Sequence, residues 1–189
     1  MYPDEHKEIV TSLMEGKFIT VVDVLFKTIK KNEEFYIDFF QKSFGFELIG
    51  THDFYYLLSK ETNENTSRDI SIFFSILCYE LDKEGKNFLD ELNFSEFTLD
   101  EIIDYFKNSS WSDVIKANKQ LSSVENIKKL IGTTLVKRNI AVKQNNERYI
   151  FTKAHKLFID FAKNLVNKEQ PEFKTDQQYE SSTFRTGTV

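Results

Sequence analysis

The sequence contains a single cysteine, Cys78, among 189 residues. One thiol cannot build a disulfide framework within the chain or a metal cluster made only of thiolates, and it suits a reducing compartment. No apolar run approaches the ~20 residues that a membrane-spanning helix needs. The N-terminus, MYPDEHKEIV, is acidic and lacks the apolar core of a signal peptide. These absences predict a soluble cytoplasmic protein.

Motifs for catalysis and cofactor binding are also lacking. The three histidines, His6, His52 and His155, are scattered, and no two stand at the i,i+4 spacing of a helical metal site. No GxxxxGK[ST] or GxGxxG loop occurs to cradle a phosphate. Cys78 lies in an apolar helical pattern, where a buried thiol is expected rather than a nucleophile. We therefore expect no enzyme, no cofactor and no metal site.

The charge of the chain is −5 overall, but it is unevenly distributed. Residues 1–66 and 67–120 carry −5 each, and residues 169–189 carry −2. Residues 121–168 carry 10 Lys+Arg against 3 Asp+Glu, which gives +7. A short basic stretch on an acidic chain is expected of a localised DNA-facing element. The alternative is an uneven distribution of solvated charge.

The first third of the sequence predicts three helices followed by a hairpin. Asp4 is the predicted cap of the first helix, and two further helices are predicted at about 21–31 and 32–43. Residues 46–49 and 54–58 are rich in aromatic and aliphatic side chains. A tight turn separates them, so we predict a pair of short strands.

A second helical unit is predicted after a polar linker at 61–66. Apolar residues at helical spacing predict a helix that ends before Gly85. Thr98 and Glu101 form a predicted capping box, which starts another helix. The segment around Trp111 is predicted to be helical as well.

The basic stretch predicts a helix, a hairpin and a closing helix. Ser122 and Glu125 form a second predicted capping box, with Ser122 as the N-cap of a helix that runs to about Arg138. Strands are predicted at 140–143 and 148–151 with a polar turn between them. The closing helix is predicted at 153–167.

The order of three helices and a hairpin thus occurs twice, and it is the order of elements in a winged helix. We predict a mostly α protein with small β-hairpin wings (α+β), made of tandem winged-helix domains. The predicted domains are an N-terminal winged helix at 1–60 and a C-terminal winged helix with its closing helix at 67–168. Residues 169–189 are polar and are predicted to form a disordered tail.

One face of the helix in the basic stretch carries only side chains that can donate hydrogen bonds. Its members are Asn126, Lys129, Thr133 and Lys137, and an apolar stripe lies opposite. Long cationic and amide side chains reach phosphates and base edges, so we predict a recognition helix. The predicted DNA-binding residues of this helix and the following hairpin are Asn126, Lys128, Lys129, Thr133, Lys137, Arg138, Lys143, Arg148 and Lys153.

Several stretches of the chain share their pattern with a known family. They are Leu13–Ile19, Gly45–Leu48 leading to Tyr55–Ser59, the polar break with Arg68 and Asp69, the helix Ile72–Tyr79 and, more loosely, Leu130–Phe151. Over about residues 8–166 the chain resembles the MukE/MksE family, the winged-helix accessory subunits of bacterial condensin-like SMC complexes.

The resemblance implies a non-enzymatic subunit without catalytic residues. Such subunits dimerise, bind a kleisin and through it an SMC-type ATPase, and contact double-stranded DNA. The implied role is chromosome organisation and segregation or defence against plasmids, in the cytoplasm at the nucleoid. The alternative is a free-standing winged-helix transcriptional regulator that binds an operator as a dimer. The acidic charge of residues 1–120 favours the first, because phosphate neutralisation dominates DNA affinity.

Overall fold

The computed structural model describes residues 2–58 and 64–169, which are mostly helical with two small antiparallel sheets. The helices are α1 (His6–Met14), α2 (Val24–Lys31), α3 (Glu33–Phe44), α4 (Glu64–Lys83), α5 (Phe88–Phe94), α6 (Leu99–Lys107), α7 (Ser112–Ala117), α8 (Val124–Lys129) and α9 (His155–Glu169). The strands are β1 (Ile19–Thr20), β2 (Glu47–Gly50), β3 (Phe54–Leu58), β4 (Phe97–Thr98), β5 (Ala141–Lys143) and β6 (Arg148–Phe151). The predicted α+β class is confirmed.

The two sheets have the same strand order. β3 lies between β1 and β2 and is antiparallel to both, and β6 lies between β4 and β5 in the same way. The chain builds each sheet in the same order of elements: a helix, a short strand, further helices and a hairpin. We call α1 to β3 the first repeat and α5 to β6 the second repeat. Both predicted hairpins are present. The strands β1 and β4 are not predicted from the sequence, because two residues are too few to show an alternating pattern.

Two predicted helix starts are wrong. α1 begins at His6, and its N-cap is Glu5 without a side-chain hydrogen bond, so Asp4 does not cap it. α8 is capped by Ser123, whose Oγ accepts from the backbone N–H of Asn126 at 3.2 Å. Neighbouring serines offer the same hydroxyl, so the residue type alone cannot select the cap. By contrast, the capping box of α6 is present as predicted.

The helix predicted to reach Arg138 is not α-helical throughout. Beyond α8 the chain forms a π-helical segment, Leu130–Leu135, and α-helix resumes at 136–137. A π-turn closes its hydrogen bonds one residue later than an α-turn. Side chains beyond the segment are therefore rotated by about 100° from where an α-helical projection places them. An α-helical projection separates Lys129 and Lys137 by about 80° around the helix axis, and the π segment between them reduces this separation to about 20°.

Buried side chains form two clusters. The first lies within the first repeat and consists of Ile9, Leu13, Ile19, Leu25, Phe26, Ile29, Tyr36, Phe40, Leu48 and Tyr55. The second cluster is larger and fills the space between the second repeat and the packed pair α4 and α9. Phe18, directly before β1, and Phe54 of β3 also belong to it. The two cores therefore meet at the sheet of the first repeat.

Direct hydrogen bonds hold the first repeat against the second. The backbone N–H of Phe18 donates to the carbonyl of Arg138 at 2.9 Å, and Asn139 Nδ2 donates to the carbonyl of Phe18 at 2.8 Å. Lys156 on α9 forms an ion pair with Asp53, in the turn between β2 and β3. The loop that ends the π-containing helix is thus fixed to the chain entering β1.

Some predicted features fall wholly or partly outside the described residues. The end of the first predicted domain, at residues 59–60, and the first half of the predicted linker, at 61–63, lie outside the described residues. Residues 64–66 of the predicted linker belong to α4. The predicted tail lies outside from residue 170 onward, and Glu169 ends α9. Among the described residues, no helix combines the length and apolar character needed to cross a membrane.

Candidate nucleic-acid interface

The basic helix is anchored by one buried face. Ile127 of α8 and Leu130, Ile131 and Leu135 of the π segment are all buried in the larger core cluster. β5 packs against the π segment, so the helix and the β5–β6 hairpin form one surface unit. The remaining face of the helix is directed away from the core. The predicted apolar stripe of Val124, Ile127, Ile131 and Leu135 is confirmed at its last three residues, whereas Val124 is half-buried. Leu130, three residues after Ile127, is buried with them.

Three lysines on this helix are exposed and not neutralised. Lys128, Lys129 and Lys137 have exposed side chains, and none forms an ion pair within residues 2–58 and 64–169. Thr133 is exposed between them. An ammonium group without a carboxylate neighbour can bind a phosphate and release its counterions, and no ion pair within the protein has to break first. These lysines form an exposed basic group on the second repeat.

Asn126 is already occupied by contacts within the chain. Its Nδ2 donates to the carbonyl of Lys119 at 2.8 Å and lies 3.4 Å from Ser122 Oγ. The side chain is half-buried and holds the preceding loop against α8. The amide oxygen of Asn126 can still accept a hydrogen bond from another donor. Helix phase alone places Asn126 with the lysines but does not reveal this loop contact.

Arg138 lies at the junction between the repeats. Its side chain is half-buried, and burial lowers the pKa of its guanidinium, which stays charged at neutral pH. The guanidinium has no ion-pair partner in the described part of the chain. Its carbonyl receives the hydrogen bond from Phe18. Arg138 therefore combines a structural backbone contact with an unpaired charge.

The basic side chains of the hairpin are paired with acids. Lys143 Nζ lies 3.3 Å from Glu147 Oε1, and Arg148 lies 3.8 Å from a carboxylate oxygen of Glu96. All four side chains are largely exposed, and such pairs contribute little to stability. They can exchange their carboxylate partner for a phosphate at small cost. The hairpin is thus a weaker cationic surface than the helix.

Lys153 is held next to an exposed aromatic ring. Its Nζ donates to Asn93 Oδ1 at 2.6 Å and lies 5.2 Å from the ring centroid of Phe94. Phe94 is 78% exposed at the end of α5. The sequence did not predict α5, so Phe94 was missed. Its only sequence signal is an aromatic residue one turn before the Thr98 capping box.

A surface cleft of about 460 Å³ lies between α4 and α6. Its charged lining consists of Glu80, Glu84, Glu101, Asp104, Lys83 and Lys86. Glu84 pairs with Lys86 at 2.7 Å and accepts a hydrogen bond from the Tyr105 hydroxyl at 2.9 Å, and these two contacts lower its pKa. The surplus of carboxylates disfavours phosphate binding here. The cleft is therefore a predominantly acidic part of the surface.

The described residues offer little for nucleophilic or metal chemistry. Burial raises the pKa of the Cys78 thiol to about 12, so the thiolate is not populated at neutral pH. Within the described residues, no group of three or more His, Cys, Asp or Glu side chains could hold a metal ion. The candidate interface is therefore defined by charge and shape.

The fold and this surface define a small α+β protein with a repeated element order and a localised basic face on its second repeat. Residues 4–163 match the family model of the condensin complex protein MksE. The chain therefore belongs to the MksE family, as the resemblance in the sequence indicates. The matched span contains both repeats, α4 and the first part of α9. No curated protein matches the chain.

Proposed function

We propose that this chain is a non-enzymatic accessory subunit of a bacterial condensin-like SMC complex that binds a kleisin and double-stranded DNA. Through the kleisin it joins an SMC-type ATPase, as a homodimer, and acts at the nucleoid in chromosome organisation and segregation or in plasmid defence. The observation that carries the DNA-binding part is that Lys128, Lys129 and Lys137 are exposed on one anchored helix and form no ion pair among the residues that the structure describes. The family match supports the complex.

The repeated element order supports tandem winged-helix domains. In each repeat a short strand, a last helix and a hairpin follow one another, and the first strand pairs with the last. In this interpretation α8 with the π segment is the recognition helix of the second domain and the β5–β6 hairpin is its wing. A recognition helix enters the major groove while flanking elements contact the backbone.

The two repeats differ in charge at corresponding helices. α3, the last helix of the first repeat, starts with Glu33 and Glu34 and carries Asp38, whereas α8 ends with Lys128 and Lys129. Carboxylates on α3 repel phosphates, so only the second repeat serves DNA. The first repeat is left for contacts with proteins. This division explains how an acidic chain binds nucleic acid with one face.

The DNA-binding part is tested by reversing two charges. Lys129→Glu with Lys137→Glu is expected to weaken binding to a short duplex without unfolding the protein. Because two phosphate contacts are lost, the slope of log affinity against log salt falls by about 2. Fluorescence anisotropy at several salt concentrations measures both effects, and circular dichroism checks the fold. The matched control is the variant Lys30→Glu with Lys31→Glu on α2. It has the same net charge as the helix variant and is expected to bind the duplex like wild type. Equal affinity of the helix variant and wild type would exclude this face.

A further inference from the structure

A cluster of exposed valines lies in the first repeat, between β1 and α2. Val22 is 89% exposed, Val24 is 70% exposed and Val21 is 39% exposed. Single exposed apolar residues are common on protein surfaces. Three within four positions, all exposed, form an apolar patch that the first repeat does not cover.

The valines are displayed by a turn with fixed geometry. The N–H of Asp23 donates to the carbonyl of Thr20 at 2.8 Å, and the N–H of Val21 donates to the carbonyl of Asp53 at 2.8 Å. Asp23 Oδ1 accepts from the N–H of Leu25 at 2.9 Å, which caps α2. An anchored turn loses little conformational entropy when a partner binds. The apolar patch is therefore preorganised.

Positive charge flanks the patch along α2. Lys27, Lys30 and Lys31 are exposed, and none forms an ion pair within the described residues. The surrounding residues 1–66 carry a net charge of −5, so this is a basic island. Lys30 and Lys31 also complement the C-terminal end of the α2 dipole. The interaction with the helix dipole does not explain why Lys27 and the three valines are exposed beside Lys30 and Lys31.

We propose that this surface, formed by Val21, Val22 and Val24 with Lys27, Lys30 and Lys31, docks an acidic amphipathic segment of a partner protein. Aliphatic or aromatic residues of the segment cover the valines, and its Asp or Glu residues pair with the lysines. In the complex proposed above, the segment belongs to the kleisin, and the inference rests on that proposed function. The complementarity in charge selects an acidic partner.

Nucleic acid and membrane fit this surface less well. Valine side chains cannot hydrogen-bond a phosphate or a base edge, and α3 next in the chain starts with Glu33 and Glu34. Membrane binding needs a long apolar face along a helix, whereas only Val24 of this cluster lies within α2. An acidic peptide with apolar residues uses both the valines and the lysines.

The test uses the full-length chain and its purified kleisin in isothermal titration calorimetry. Two variants are compared with wild type, Val22→Asp with Val24→Asp, and Lys30→Glu with Lys31→Glu. Each is expected to weaken kleisin binding by about tenfold or more, and added salt weakens wild-type binding. Val114→Asp, at an exposed valine on α7, is the matched control and keeps wild-type affinity. Thermal unfolding checks that the variants fold.

The outcomes separate this docking surface from the proposed function. Kleisin binding by wild type and by the valine variant with equal affinity would overturn the docking surface and leave the proposed function in place. Failure of wild type to bind the kleisin would contradict the proposed function, and the docking surface with it. If the lysine variant lost binding to duplex DNA or to anionic phosphatidylserine vesicles while keeping the kleisin, the proposed occupant would be wrong.

Discussion

At the residue scale, His155 is the buried titratable group with the clearest consequence. Its Nδ1 lies 2.7 Å from the carbonyl of Thr152, so Nδ1 carries the proton and donates. Its Nε2 is buried without a hydrogen-bond partner among the described residues. Protonation of Nε2 would bury an unpaired charge. Burial accordingly lowers the pKa of His155 from 6.5 to about 4.

This pKa predicts a loss of stability in mild acid. Above pH 6.5 the imidazole is neutral in both states, so it contributes no pH dependence. Between pH 6.5 and 4 the unfolded chain binds a proton that the folded chain does not, so stability falls as pH falls. From pH 7 to 5 the expected loss from this group is about 2 kcal/mol. Denaturant unfolding at both pH values measures it.

The control is His155→Gln, which keeps an N–H donor and cannot titrate. We expect this variant to lose less free energy of unfolding between pH 7 and 5 than wild type does. Hydrogen bonds that lower the pKa of Glu84 and Glu101 affect stability below their ordinary value of 4.5, outside this window. Equal losses in the variant and wild type would show that His155 is not responsible.

Single residues were predicted unevenly from the sequence. The exposure of Lys128, Lys129 and Lys137 was expected and is observed, although the π segment changes the helix phase before Lys137. The engagement of Asn126 with Lys119 was not, because it depends on the path of a loop seven residues away. The pairing of Arg148 with Glu96 likewise depends on how β6 is placed beside β4. Their part in DNA binding stays a prediction.

At the element scale, the π segment is the main departure from the sequence prediction. Gly132 lies within it, exposed and without a positive φ. A Cβ added there would meet only the Tyr149 hydroxyl, at 3.9 Å, which is ordinary van der Waals contact. The glycine is therefore not required by crowding, and helix propensity alone should decide the effect of replacing it.

Gly132→Ala is expected to stabilise the protein by about 1 kcal/mol, because alanine is the better helix former. Thermal and denaturant unfolding measure the change. Gly85→Ala is the matched control and should destabilise, since Gly85 has a φ of 74° that an alanine adopts only with strain. A destabilised Gly132→Ala variant would show that the π segment depends on its glycine.

Element boundaries show where pattern reasoning ends. The hairpins β2–β3 and β5–β6 were predicted because their strands are long enough to show a composition and a turn. β1 and β4 have two residues each, and their pairing depends on distant strands. α5 is seven residues long and begins with the cap Asn87, whose side chain accepts from two backbone N–H groups. A helix this short gives little periodicity to detect.

At the scale of the whole molecule, Asn139 links the two repeats. It has a φ of 57° and donates its Nδ2 to the carbonyl of Phe18. Asn139→Ala is expected to cost about 2 kcal/mol in the free energy of unfolding, because it loses this hydrogen bond and strains the backbone. Asn139→Gly removes the hydrogen bond alone and should cost less. If both variants unfold like wild type, this contact does not hold the repeats together.

The charge distribution separates the tasks that we propose for the two repeats. The Lys129→Glu, Lys137→Glu variant should lose DNA binding and keep the kleisin. The Lys30→Glu, Lys31→Glu variant should do the reverse. The sequence predicted the first surface from its +7 stretch. It could not predict the second, because three lysines beside exposed valines become a surface only when the β1–α2 turn is folded.

The most direct test of membership in a condensin-like complex is an affinity pull-down of the tagged full-length protein from its native host, with mass spectrometry of the recovered proteins. We expect an SMC-type ATPase and a kleisin to be recovered together, in amounts that increase with the amount of tagged chain recovered. Recovery of neither, with the protein instead enriched on one promoter, would contradict the proposed complex and indicate a free-standing regulator.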